Sequence, residues 1–170
     1  IDSIKIIELD WWENYKESFL TFTATPSQHF SGRGGLENNK TLWAGWLIQD
    51  KQESIFFSGD SGYDIHFKKV GERFKSIDYA FLDCGQYNKL WKEVHLLPEQ
   101  LPQAFSDLGA KNLVPIHLGM FSLALHPWYE PLERLTKALK DKNIQLLTPK
   151  LGQIISSKQK QKTAFWWKGF

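Results

Sequence analysis

The sequence has almost no cysteine, almost no methionine and no surplus of either charge. Its one cysteine among 170 residues is Cys84, so no disulfide can close within the chain and a reducing, cytoplasmic compartment is the expectation. Lysine and arginine total 21 against 19 aspartates and glutamates, a balance that offers polyanions no broad field and argues against a nucleic-acid partner. No apolar run approaches the ~18 residues of a membrane-spanning helix, and no signal-peptide pattern precedes the first apolar residues. The chain starts at Ile1 and its single methionine is Met120, so the expectation is a start other than a translation start. What is present, 42% hydrophobic and 24% charged residues, is enough for one soluble domain with a real core.

The apolar pattern predicts mostly strands, then alternation of strands and helices. Ile4, Ile6 and Ile7, followed by Phe19, Leu20, Phe22 and Ala24, predict an antiparallel pair joined around Asn14 and Lys16. The loop PSQHFSGRGGLENNK is too rich in glycine and asparagine for a regular element. LWAGWLIQ and ESIFFSG predict a hairpin turning at Asp50, Lys51 and Gln52, its second strand ending at Gly59 and Asp60. A helix over residues 64–75, the strand DYAFLDCG, a helix over 98–108 stopped by Gly109, the strand NLVPIH and a helix over 131–142 follow. IQLLTP and GQIISS predict closing strands. The class is therefore α/β or α+β in a single unit, residues 1–170, with a polar and then aromatic tail from residue 157.

Three ionisable residues share a place in this pattern. His29 follows the second strand, Asp60 ends the fourth and His117 ends NLVPI. Two imidazoles and a carboxylate suit a borderline-soft divalent ion such as zinc. Nothing like HxH or HExxH links them, so spacing alone leaves a metal site and ordinary polar strand-end groups both open. Asp83 reads equally as an acceptor that orients a ligand histidine or as a turn cap. Cys84 lacks a local cation to activate it and is expected to be packed and inert. Arg33, on the glycine-rich loop, is either a bidentate partner for a substrate phosphate or carboxylate or a solvated loop residue. His66 and His126 read as packing or structural residues, and Tyr87 and Trp91 as pocket walls or core cover.

The strings TPSQHFSGR, LWAGWLI, FFSGDSGY, CGQYNKLW, VHLLPEQ, PIHLGMFSLALHPW and EPLERL, in this order over residues 20–140, resemble the metallo-β-lactamase-fold hydrolases similar to N-acylphosphatidylethanolamine phospholipase D. The resemblance implies a four-layer αββα sandwich with two divalent metal ions, usually zinc, where the sheets meet. It implies His29 as ligand of one ion, Asp60 as the bridging carboxylate and His117 as ligand of the other, with an acidified water between them as nucleophile. It also implies that His95, ahead of LLPEQ, faces the scissile bond for orientation or proton transfer; Arg33 stays the candidate substrate contact that its loop position suggests, with the solvated reading beside it. Gln100 stands where the family carries an acid, a change assigned to helix-start capping. The family's HxHxDH motif is absent from this sequence. The expectation is thus the C-terminal part of a larger domain, with partial or no metal occupancy and no hydrolase activity as an isolated chain.

The resemblance implies a phosphodiesterase- or lactonase-type hydrolase, and the expected substrate is a small molecule or a phospholipid-like one. Two alternatives stand beside it. One is a non-catalytic binding or structural module whose open face is covered by a homo-oligomer. The other is a peripheral lipid-binding protein using the tail SSKQKQKTAFWWKGF, in which Trp166 and Trp167 follow three lysines. The bland account of those tryptophans is packing against neighbouring structure.

Overall fold

The computed structural model describes residues 5–32, 39–121, 123–156 and 163–168. Seven strands form one sheet in chain order: β1 (Asn14–Glu17), β2 (Leu20–Pro26), β3 (Ala44–Gln49), β4 (Ser54–Phe57), β5 (Tyr79–Asp83), β6 (Asn112–Ile116) and β7 (Gln145–Leu146). β1 to β4 run antiparallel as hairpins, and β4 to β7 run parallel. Parallel neighbours need crossovers, supplied by α1 (His66–Arg73), α2 (Leu101–Leu108) and α3 (Glu130–Ala138). The α/β class expected from the sequence is what the chain adopts.

All three helices feed one core. Phe67 and Val70 of α1, Leu101, Ala104 and Phe105 of α2 and Leu135 of α3 bury against Leu47, Phe56, Ala80, Leu82 and Leu113 of the sheet. Strand side chains alternate between faces, so Ile55, Tyr79, Phe81 and Val114 turn the other way. There, among the described residues, Leu147 and Ile155 join them in a small cluster. Phe57, paired with Trp46 and Phe81 on that second face, is 41% exposed.

Several local expectations fail for physical reasons. The first strand is Asn14–Glu17, not the isoleucine segment. Ile6 is 81% exposed, whereas polar Asn14–Glu17 pairs with Leu20–Thr23 through a two-residue turn that needs Ser18 at φ 54°. GQIISS forms no strand, with Ile154 exposed, and β7 shrinks to two residues. That short partner leaves Pro115 of β6, which has no N–H to donate, in a stretch with β5 alone beside it. The predicted helix stop holds: Gly109 takes the left-handed conformation at φ 62°. Gln100 accepts the Leu97 backbone N–H at 2.9 Å and so caps the helix start. Among the described residues no helix is long and apolar enough to cross a membrane.

The aromatic end of the tail folds back. The Trp166 indole donates to the Thr148 carbonyl at 3.1 Å, its ring stacks on Trp128, and Trp167 is buried. Packing, the bland account, describes this pair. The lysine-bearing segment before it lies outside the described residues.

Candidate metal centre

The ends of the three central parallel strands converge. β4 runs into Ser58, Gly59 and Asp60, β5 ends on Asp83 and β6 runs into His117. Carboxyl ends of parallel strands commonly carry the chemistry of α/β proteins. Alternation puts Asp83 on the thinly covered face with Tyr79 and Phe81, while its neighbour Cys84 is fully buried in the helix-side core. Burial pushes the Cys84 thiol well above its ordinary range, as expected of an inert cysteine.

Asp83 is the hub. Its side chain is fully buried, and Oδ2 accepts from His95 Nδ1 at 2.7 Å and from the Ser61 N–H at 3.3 Å. Its Oδ1 lies 3.4 Å from His117 Nδ1 and accepts the Gly85 N–H. The Asp83 N–H in turn donates to Ser58 Oγ at 3.0 Å. Burial works to raise the Asp83 pKa, but the hydrogen bonds from His117 and His95 together outweigh it and hold the carboxyl below the usual range. The same bond to Asp83, opposed by partial burial, raises the His117 pKa.

Asp60 joins through His117, its Oδ1 3.2 Å from the same Nδ1. The Asp60 loop is fixed by its backbone: the carbonyl accepts from Trp43 Nε1 at 2.9 Å and from Ser27 Oγ at 3.2 Å. His29 packs between Phe30 and Trp43. Its ring meets the His95 ring edge-on at 5.3 Å, and the His95 and His117 rings are also 5.3 Å apart. Four residues predicted from the sequence, His29, Asp60, His95 and His117, therefore stand around one spot. Arg33 lies outside the described residues.

His117 carries backbone strain. It sits at φ 60°, in the left-handed region that costs a non-glycine residue of order 1 kcal/mol or more. Its carbonyl passes so close to Gly85 that a Cβ at that position would lie 1.8 Å from it. Glycine at 85 is thus what lets the β6 end close over the β5 end.

Asp83, His95 and His117 offer ligand atoms that all lie within 4.8 Å of one another. Two ligands of one tetrahedral ion with 2.0–2.2 Å bonds stand about 3.4 Å apart. The separations of His117 Nδ1 from Asp60 Oδ1 and Asp83 Oδ1 match that spacing. The 2.7 Å approach of Asp83 to His95 is instead a hydrogen bond, and an Nδ1–H given to Asp83 leaves the His95 Nε2 lone pair free. The donor set, imidazole nitrogens with carboxylate oxygens, fits zinc and related divalent ions. Strand-end position alone left Asp83 open between orienting acceptor and turn cap. Both carboxylate oxygens turn out to be engaged by the two histidines.

Other sequence candidates fall outside this cluster. His66 is buried in α1, its Nε2 3.2 Å from Ser61 Oγ. Burial lowers its pKa to about 4. His126 stacks on Tyr87 at 4.3 Å, whose hydroxyl donates to Glu130.

Residues 2–118 match the model of the β-lactamase superfamily domain. An uncharacterized protein of Mycobacterium tuberculosis is 36% identical over 167 residues, covering 96% of this chain and 45% of its own length. The mitochondrial N-acyl-phosphatidylethanolamine-hydrolyzing phospholipase D of Saccharomyces cerevisiae is 37% identical over 140 residues, 76% of this chain and 30% of that protein. The chain thus spans less than half the length of these relatives. Among solved structures, Igni18, a metallo hydrolase from Ignicoccus hospitalis, superposes with a TM-score of 0.67 at 20% identity, covering 86% of this chain and 58% of that one. A domain match over residues 2–118 together with these relatives leaves one conclusion: the chain belongs to the metallo-β-lactamase superfamily.

Proposed function

We propose that the chain carries part of the active site of a metal-dependent hydrolase, of phosphodiesterase or lactonase type, acting on a phospholipid-like or other small ester. The observation that carries this is the convergence of Asp60, Asp83, His95 and His117 at the ends of β4, β5 and β6. The yeast and Caenorhabditis elegans relatives named as N-acyl-phosphatidylethanolamine-hydrolyzing phospholipases support the substrate class.

In this proposal His117, Asp60 and His29 hold divalent ions, zinc first among them. A divalent ion held there supplies Lewis acidity and acidifies water near neutral pH. Asp83 fixes the ring orientation of His95 by accepting from its Nδ1, and its other oxygen lies beside His117. His95 presents Nε2 toward the reacting group and moves a proton to or from it. Trp43 and Phe30, on either side of His29, keep that imidazole from turning away. Among the described residues the ligand set serves fewer than two complete ion sites, so the chain alone is expected to turn over no substrate.

Zinc titration of the purified chain by calorimetry, with a parallel assay on bis(p-nitrophenyl) phosphate, tests this. Saturable binding of fewer than two ions, lost in His117→Ala, and no turnover above buffer are expected. Absence of zinc binding, or binding untouched by His117→Ala and His95→Ala, overturns the assignment of the centre. Two bound ions with robust turnover overturn the incompleteness of the site.

A further inference from the structure

A cavity of about 560 Å³ lies between α3, β7 and the C-terminal segment, and none of its lining residues belongs to the histidine–carboxylate centre. Among the described residues its apolar surface comes from Leu139, Ile144, Leu146 and Phe165, and its charged rim from Lys137, Lys140 and Lys168 against Glu133. Thr136 and Thr163 also line it, but their hydroxyls are engaged by the carbonyls of Leu132 and Leu146. Neither offers its donor to a ligand.

The far wall is fixed in place. Thr148 Oγ1 donates to the Ala164 carbonyl, the Trp166 indole donates to the Thr148 carbonyl, and Trp167 is buried to 1% exposure. Residues 163–166 are thereby tied to the strand edge at several points, while Phe165 stays 45% exposed on the cavity side. Among the described residues none of the three lysines forms an ion pair. Lys168 rests over the Phe165 ring at 4.8 Å, a cation held beside apolar surface.

A concavity of this size with an apolar floor suits a small ligand. A rim of three cations to one anion selects the charge of its head, since an ammonium would meet like charge and a carboxylate or phosphate would be attracted. We propose that this groove binds a single-chain amphipathic anion, its hydrocarbon tail on Leu139, Ile144, Leu146 and Phe165 and its acidic head between Lys140 and Lys168. A long-chain carboxylate is the simplest such ligand.

The test uses the purified chain and cis-parinaric acid, whose fluorescence rises on entering an apolar site. Saturable binding, displaced by dodecanoate and not by dodecyltrimethylammonium, is the expected result. The double variant Lys140→Glu/Lys168→Glu is expected to weaken binding at least tenfold while leaving zinc uptake and the urea unfolding midpoint near those of the parent. Thr136→Trp, which fills the groove without touching its charges, is expected to weaken binding as strongly. Non-saturable uptake, equal displacement by the cationic amphiphile, or binding unchanged in both variants would overturn the proposal. Loss in Thr136→Trp with no loss in the charge variant overturns the acidic head and leaves an apolar groove only.

Discussion

The two faces of the sheet are built from similar side chains and carry different loads. On one, Leu47, Phe56, Ala80, Leu82 and Leu113 are closed off by three helices and are almost wholly buried. On the other, Phe22, Ile48, Ile55, Phe57 and Phe81 follow one another across paired strands, yet the apolar cluster there is small, with Tyr79, Val114 and Leu147 as its buried members among the described residues. Apolar composition alone therefore does not decide where stability resides. Coverage does, because burial returns roughly 25 cal/mol for each Å² removed from water. The thinly covered face is also the one whose end holds Asp83, although Asp83 itself is fully buried there.

The sharpest way to break this contrast is a pair of truncations at adjacent positions. Leu82→Ala, on the covered face, is expected to cost about 3 kcal/mol in urea unfolding. Phe81→Ala, one residue earlier on the open face, is expected to cost only about 1 kcal/mol despite removing the larger side chain. Equal costs would show that the open face is as well packed as the other.

Gly85→Ala comes next, because the added methyl meets the His117 carbonyl. About 2 kcal/mol of stability should go, together with at least tenfold weaker zinc binding by calorimetry. Unchanged zinc affinity would mean that the β5 and β6 ends adjust independently.

A pH series probes the covered side through His66. Its folded pKa of about 4 lies below the ordinary value near 6.5, so the unfolded chain binds the proton first. Stability from this residue is present above pH 6.5 and is lost as pH falls toward 4, by on the order of 2 kcal/mol. A flat urea midpoint across that window in the parent, or an unchanged slope in His66→Gln, would refute it.

The smallest effect on stability and the most specific on chemistry belongs to Asp83→Asn, which keeps the volume and removes the charge. It should cost about 1 kcal/mol and weaken zinc binding roughly 10- to 100-fold. A large stability loss with intact metal binding would make Asp83 a structural cap instead of the partner of both histidines.

The contrast between the faces also explains what could be read from the sequence. β3, β4, β5, β6 and α2 sit where the apolar pattern puts them, because each buries a periodic face in one core. β1 was hidden: Asn14–Glu17 has little to bury, and its place is decided by pairing with β2 and by the turn at Ser18, whereas the more apolar Ile6 and Ile7 lie exposed. The closing strand expected over GQIISS was overestimated for the opposite reason: its apolar Ile154 lies exposed. At the centre, His29, Asp60, His95 and His117 were legible from their strand-end and loop positions joined to a family resemblance. Asp83 was ambiguous because its role depends on two histidines that are 12 and 34 positions downstream, a distance no local pattern spans.

That spread gives the centre a use in following how the molecule assembles. Its members come from the ends of separate strands and the loops between them, from residue 29 to residue 117, so no early helix or hairpin carries a competent fraction of it. Closing such long loops is slow compared with forming local structure. In a refolding experiment, uptake of a divalent ion at the proposed centre would therefore time the moment when β4, β5 and β6 come into register, well after the helical signal has levelled off.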